Sequence, residues 1–185
     1  LFFPEKRSFF LEGRDIFYFG GAGPRFSSLP SGDAPLLFFS RRIGLNEGQP
    51  ISILGGGRVT GRAGPYSVGL LNIQTDDGPT NTVKTTNFSV VRLKRDIFKR
   101  STVGAIATHR SKALDGPGSN SVYGLDTRLA FLSNFFIDAY YAQTRTQGRT
   151  GDDASYRTRM ENNGDRYGFV VEHLKVGKDF NPEVG

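Results

Sequence analysis

The sequence contains no cysteine and has only two histidines, His109 and His173, among its 185 residues. The absence of cysteine excludes disulfide bonds, thiolate metal ligands and thiol nucleophiles, and it leaves the compartment open. The two histidines lie far apart in the sequence and have no neighbours at metal-ligand spacing, so we expect no metal site. No G-x-S-x-G elbow is present either, and we expect no catalytic residue and no cofactor.

Long hydrophobic runs are also missing. No segment approaches the roughly 18 apolar residues that a membrane-spanning helix requires. The apolar start Leu1-Phe2-Phe3 is followed at once by Pro-Glu-Lys-Arg, so no signal peptide is visible. The sequence begins with Leu and ends in a loop-like run, and we interpret it as a fragment of a longer protein, in which the missing signal says nothing about secretion.

The charge of the chain is positive, with 24 Lys and Arg against 18 Asp and Glu and a formal net charge of +6. This balance fits a nucleic-acid-binding protein. The arginines, however, are scattered singly along strand-like segments, and no Lys/Arg block or nucleic-acid motif is present. We therefore expect no nucleic-acid partner.

Strand-like segments joined by turns make up most of the chain. The stretch 51–75 predicts two strands joined at Ala63-Gly64-Pro65, because glycine accepts positive φ and proline presets φ. Its glycines and β-branched residues disfavour a helix. A short strand is also expected at 15–19. Nine longer segments are predicted as strands: 36–42, 51–62, 66–75, 87–96, 102–110, 122–132, 135–144, 155–161 and 166–176.

The connections between these strands alternate in length. Short connections at 63–64, 97–100, 133–134 and 162–165 alternate with long polar ones at 43–50, 76–85, 111–120 and 147–153. Short turns at one end and long loops at the other are typical of up-and-down transmembrane barrels of the outer-membrane type. We therefore predict an all-β fold, an antiparallel up-and-down sheet that forms part of a transmembrane β-barrel.

The predicted domain organisation is a single domain over residues 1–185, as a fragment of a larger β-barrel. It consists of an irregular first segment at 1–35, consecutive β-hairpins over 36–177 and a loop at 178–185. The strand count does not give the even number typical of single-chain bacterial barrels, so we expect further strands elsewhere.

Apolar and charged residues alternate within the strands. In 122–132, Leu125 and Phe131 share one face, whereas Asp126 and Arg128 share the other. A polar lumen would house such charges in pairs; the in-strand candidates are Arg58, Arg92, Arg110, Asp126, Arg128, Asp138 and Glu172. Aromatic residues near strand ends suit an interfacial girdle: Tyr66, Phe88, Tyr123, Phe135 and Tyr167.

Two other functions stay open from the residues alone, since periodicity does not distinguish an apolar face on lipid from one on protein. A soluble β-rich domain that binds carbohydrate would use aromatic and amide side chains, with Tyr140, Tyr141, Asn72 and Gln74 as candidates. A polysaccharide hydrolase would need two carboxyl groups about 5–9.5 Å apart, drawn from Asp126, Asp138 and Glu172.

Four sequence blocks resemble a bacterial family, domain of unknown function 5916, which follows a carbohydrate-binding-like module of family 9. The first two are Phe-Phe-Pro-Glu-Lys-Arg-Ser-Phe-Phe-Leu-Glu at 2–12 and Phe-Ser-Arg-Arg-Ile-Gly at 39–44. The others are Ile-Leu-Gly-Gly at 53–56 and Gly-Leu-Leu at 69–71. The family pattern has Pro where this chain has Ser8.

The resemblance implies an outer-membrane-like β-barrel. Together with the strand pattern, it leads us to expect part of a barrel in a bacterial outer membrane that acts as a pore, transport component or surface anchor. Its implied partners are outer-membrane lipid and, through an N-terminal module outside this sequence, a glycan. No reaction and no catalytic residue come with it. In the two longer blocks we expect Glu5 and Glu12 to pair with Arg7, Arg41 or Arg42 in the lumen, because a buried charge needs a partner.

Overall fold

The computed structural model describes residues 9, 13–21, 34–46, 49–77, 85–114 and 118–185. Two short 3-10 helices come first, η1 (Arg14–Phe17) and η2 (Ser40–Arg42), followed by a small hairpin of β1 (Leu45–Asn46) and β2 (Gln49–Pro50). The long strands are β3 (Ile53–Ala63), β4 (Tyr66–Thr75), β5 (Thr86–Ile97), β6 (Ser101–Arg110), β7 (Asn120–Phe131), β8 (Phe135–Thr146), β9 (Ala154–Asn163) and β10 (Gly168–Val176).

Strands β3 to β10 form one eight-stranded antiparallel sheet, in which each strand pairs with its neighbours in the sequence. The predicted all-β, up-and-down antiparallel sheet is therefore confirmed. Strands β3 and β10 are its two edges, and within the described residues no pairing joins these edges into a closed barrel. The short turns all lie at one end of the sheet, as expected. The first of them contains Gly64, whose positive φ of 55° explains why glycine stands there.

Two predicted strands are wrong. The segment 36–42 is irregular and ends in η2, because Arg42 N–H and Ile43 N–H donate to carbonyls three residues back instead of to a neighbouring strand. The segment 15–19 overlaps η1, where Ile16 N–H donates to the carbonyl of Gly13 at 3.1 Å. Both segments lie across the sheet and cover it, so neither extends it.

Residues 13–21, 34–43 and 178–185 pack on one face of the sheet, which we call the covered face. The hydrophobic core lies between these segments and the sheet; its buried members are Phe17, Phe19, Leu37, Ile43, Leu71, Ile73, Phe88, Val90, Ile106, Val122, Tyr140, Ala142 and Val184. Glycines in the sheet make room for it: a Cβ on Gly69 would lie 2.9 Å from the ring of Phe17, and one on Gly124 would lie 2.6 Å from that of Phe19. The opposite face is called the open face.

Candidate functional site

A largely buried ion pair on the covered face joins Arg92 of β5 to Asp126 of β7. Nη1 of Arg92 donates to Oδ1 of Asp126 at 2.6 Å, and Nη2 donates to Oδ2 at 2.8 Å, so the pair is bidentate. The Arg92 side chain is fully buried and that of Asp126 is 13% exposed. The guanidinium of Arg92 also lies 5.4 Å from the ring centre of Phe19.

This pair bridges a glycine in the strand between its members. A Cβ on Gly104 of β6 would lie 2.8 Å from both Nη1 of Arg92 and Oδ1 of Asp126. Strand β6 passes beneath the two side chains at this point because its register places Gly104 opposite Asp126. A side chain at position 104 would occupy the space in which the two charged groups meet.

The same pair holds residues 13–21 against the sheet. Arg92 donates to the carbonyl oxygens of Ile16 at 3.3 Å and Tyr18 at 2.8 Å, and Gly20 N–H donates to Oδ2 of Asp126 at 3.1 Å. Hydrogen bonds to charged groups are worth about 1.5–3 kcal/mol each, roughly twice those between neutral groups. The charged pair therefore anchors a segment with little regular structure of its own.

A second set of charges follows one row of the sheet. Arg128, Asp138, Arg159 and Glu172 are register partners on β7 to β10, so opposite charges alternate across four strands. Arg128 and Asp138 lie 3.7 Å apart. Arg157 binds Glu172 through two bonds of 2.8 and 3.1 Å, and it also donates to the carbonyl of Gly20 at 3.4 Å. Gly20 therefore contacts both charge clusters.

The C-terminal segment is held by a third group. Glu183 is completely buried, and its Oε2 accepts from Leu114 N–H at 2.7 Å and lies 3.9 Å from Nη1 of Arg110. The guanidinium of Arg110 also lies 5.3 Å from the ring centre of Phe88. Phe88 is a core residue, so its predicted place in an interfacial girdle is wrong: the alternation puts it on the covered face.

The predicted charge network divides into three groups. Five members lie together on the covered face: Arg92, Asp126, Arg128, Asp138 and Glu172. Arg58 lies on the same face, with its guanidinium 5.5 Å from the ring centre of Phe9, and Arg42 is exposed. Glu5, Arg7, Glu12 and the side chain of Arg41 lie outside the described residues, so their predicted pairing stays a prediction.

Sequence reasoning missed several charged residues of the covered face, namely Arg157, Arg159, Glu161 and Glu183. Three of them stand at alternate positions of β9, a signal that the sequence does contain. Nothing local marks Glu183, whose partners lie about 70 residues earlier in the chain.

The open face of the sheet has two zones. The row nearest the long loops is polar and consists of Asn72, Ser89, His109, Ser121 and Arg145. Asn72 donates to Oγ of Ser89 at 2.7 Å, and Nδ1 of His109 lies 2.9 Å from Oγ of Ser121. Below this row lie exposed apolar side chains: Val59, Tyr66, Leu70, Val91, Leu93, Val103, Tyr123, Leu125, Phe131, Tyr141, Tyr156, Met160, Phe169 and Val171.

The aromatic and amide residues considered for carbohydrate binding do not lie together. Tyr140 is buried on the covered face, whereas Tyr141 is exposed on the open face. Asn72 and Gln74 lie on β4, four strands from β8, a separation of about 19 Å. The carboxylates of Asp126, Asp138 and Glu172, considered for a hydrolase, each form an ion pair with an arginine on the covered face.

Among the described residues, no helix is long and apolar enough to cross a membrane. The same part of the chain holds no group of three or more His, Cys, Asp or Glu side chains placed to bind a metal ion. Comparisons with protein-family models, with curated proteins and with solved structures found no match.

Proposed function

We propose that this chain forms part of the wall of a transmembrane β-barrel in a bacterial outer membrane, with the open face on lipid and the covered face on a filled lumen. The observation that carries the proposal is the distribution of the side chains. Large apolar residues are exposed on the open face, where Leu125 is 63% and Val171 61% exposed, while Arg92 and Arg157 are buried on the other. Lipid-facing apolar residues that alternate with a polar interior characterise such barrels.

The slope of the apolar zone supports this orientation. One row of register partners runs across the sheet from Val68 in β4 to Lys175 in β10 and includes Leu125 and Tyr141. On the open face of β10 the exposed apolar residues are Phe169 and Val171. They lie about 5 residues closer to the short turns than Lys175, a shift of roughly 17 Å across about 29 Å of sheet. The apolar zone is thus inclined by about 30° to the rows of register partners. Barrel strands tilt by about 35–45°, so a level lipid band crosses them with a similar slope.

The polar row at the long-loop end fits the same orientation. In barrels of this type the longer loops face the outside, and the short turns face the periplasm. Strands β3 to β10 are 9 to 12 residues long, which suffices to cross the hydrocarbon core and to leave a polar margin. Asn72, Ser89 and His109 would then lie beyond the lipid tails on the outer side.

A soluble domain would distribute these residues in the opposite way. Soluble proteins rarely leave a contiguous apolar patch larger than a few hundred Å² in water, and they bury charges only when they are paired. Here the buried arginines of the covered face are paired with carboxylates, and exposed apolar side chains are spread over the open face of seven neighbouring strands from β4 to β10. Contact with lipid accounts for both faces at once.

The segments that fill the covered face support a narrower role within this proposal. Residues 13–21 lie over the sheet and bind its charges through backbone groups, so they would occupy the lumen as an internal plug. A plugged barrel acts as a transport component or as a surface anchor, and it conducts little at rest. The link to carbohydrate handling depends on the family resemblance alone.

Fractionation of cells that produce the full-length protein tests this proposal. We expect the protein in the outer-membrane fraction, released by detergent, with a compact form on gels that shifts its migration only after boiling. Recovery in the soluble fraction without detergent would overturn the proposal.

A further inference from the structure

A groove of about 600 Å³ lies on the open face, where the polar row meets the apolar zone. Its floor consists of two pairs of register partners on β7 and β8, Ser121 with Arg145 and Tyr123 with Gln143. The connection 147–153 forms one wall. From that wall, Oδ1 of Asp153 accepts a hydrogen bond from Nε2 of Gln143 at 3.1 Å, which fixes the amide in place.

Two side chains in the groove leave their binding groups available. Within the described part of the chain, Arg145 is exposed and forms no ion pair or side-chain hydrogen bond. This contrasts with the paired arginines of the covered face. Tyr123 is 54% exposed, and neither its ring nor its hydroxyl has a partner among the same residues. A planar guanidinium binds phosphate through two parallel bonds, and an exposed tyrosine offers an apolar ring with a polar tip.

We propose that this groove binds a phosphorylated sugar, with the phosphate on Arg145, the sugar ring against Tyr123 and sugar hydroxyls on Gln143 and Asp153. Binding sites commonly combine a concave surface, an aromatic side chain and a few polar groups that orient the ligand. The amide and carboxylate provide both donors and acceptors, which is what vicinal hydroxyls require. An unsubstituted sugar leaves Arg145 unused, and inorganic phosphate leaves Tyr123 unused.

The source of the ligand rests on the proposed function, whereas its chemistry does not. If the open face lies on lipid, the groove is at headgroup level on the long-loop side, where the phosphorylated sugar of a glycolipid is within reach. If the protein is soluble, a free sugar phosphate is the ligand. The two sources are separated by the experiment.

Calorimetric titration of the full-length protein in detergent tests the chemistry, with glucose 6-phosphate, glucose and inorganic phosphate as probes. We expect saturable binding of glucose 6-phosphate that is at least tenfold tighter than that of the other two. Arg145→Gln should weaken it about tenfold, while Arg145→Lys should weaken it less, because lysine keeps the charge and loses the bidentate geometry. Arg95→Gln, on the same face outside the groove, should leave binding unchanged.

Several results would overturn the proposal. Equal binding of glucose would exclude the role of Arg145, and equal binding of inorganic phosphate would exclude that of Tyr123. Failure of all three probes would exclude the site. The source is tested separately in bilayer discs with and without lipopolysaccharide: competition of lipopolysaccharide with glucose 6-phosphate supports a glycolipid ligand, and its absence assigns the groove to free sugar phosphates. Since the titration is done in detergent, it stands even if the membrane location is wrong.

Discussion

Arg92 and Asp126 lie two strands apart, and their side chains meet above Gly104 in the strand between them. The two bonds between them, 2.6 and 2.8 Å long, are surrounded by backbone groups of residues 16, 18 and 20. The pair therefore connects three strands of the sheet with the segment that covers them. The stability of the sheet and the position of that segment should depend on the same two residues.

Removal of one partner should be costly. Asp126→Asn leaves the buried guanidinium without a counter-charge, and breaking a buried pair in this way costs about 3–5 kcal/mol. We expect this loss in the free energy of unfolding, measured with denaturant in detergent micelles. The exposed pair Arg62 and Asp96 provides the matched control, and Asp96→Asn should cost less than about 1 kcal/mol. Equal losses at the two sites would contradict the anchoring role of Asp126.

The same variant should release residues 13–21 from the sheet. Residues 13–21 include Arg14, a trypsin site, and they are held through Gly20 and Tyr18. With Asp126→Asn we expect faster cleavage at Arg14 under conditions in which the sheet stays folded, and a higher conductance in planar bilayers. The Asp96→Asn protein should match the unmodified protein in both measurements. Unchanged cleavage would show that the apolar contacts of Phe17 and Phe19 suffice to hold the segment.

The glycine beneath the pair should not tolerate a side chain. Gly104→Ala places a Cβ 2.8 Å from both charged groups, and overpacking of this kind costs about 1–3 kcal/mol. Gly61→Ala is the control: no atom lies within 4 Å of the new Cβ, and lower entropy of the unfolded chain should leave its stability unchanged or raised by up to about 1 kcal/mol. Chemical unfolding of both variants checks the difference. Equal stabilities of the Gly104→Ala and Gly61→Ala proteins would mean that Arg92 and Asp126 move aside for the new methyl group at little cost.

The strands were predictable from the sequence because their pattern is local. Alternation and turn chemistry identify β3 to β10 with small differences at the ends. Even the run Val90-Val91-Arg92-Leu93-Lys94 alternates once faces are assigned, since Val90 joins Arg92 and Lys94 on the covered face. The period of two is hard to see in the sequence because the covered face carries both apolar and charged residues.

The cover of the sheet and most of its ion pairs were not predictable. The segments at 15–19 and 36–42 have strand-like composition, but their conformation is set by contacts with residues far away in the chain, such as Phe39 N–H with the carbonyl of Val184. Glu183 is placed by the same kind of long-range folding. Arg157 and Arg159 alternate with Tyr156, Thr158 and Met160, so the opposite face of this short strand carries only two apolar residues to mark the pattern.

A charge on the open face should be harmful only within the apolar zone. Arginine at the midplane of a membrane barrel costs about 2–4 kcal/mol, and near the interface about 0–1 kcal/mol. We therefore expect Leu125→Arg to destabilise the protein in lipid vesicles by about 2–4 kcal/mol, and Asn72→Arg by about 0–1 kcal/mol. Urea unfolding from vesicles gives both values. Similar costs at the two positions would contradict a lipid boundary between them.

The absence of tryptophan from the sequence permits the most direct test of lipid contact. Single tryptophans introduced by Leu125→Trp in the apolar zone, Asn72→Trp in the polar row and Ile106→Trp on the covered face can be compared in vesicles of lipids brominated along their chains. Contact with brominated chains quenches tryptophan fluorescence. We predict strong quenching at position 125 and little at positions 72 and 106. Equal quenching at all three positions, or none at 125, would contradict a sheet whose open face lies on lipid.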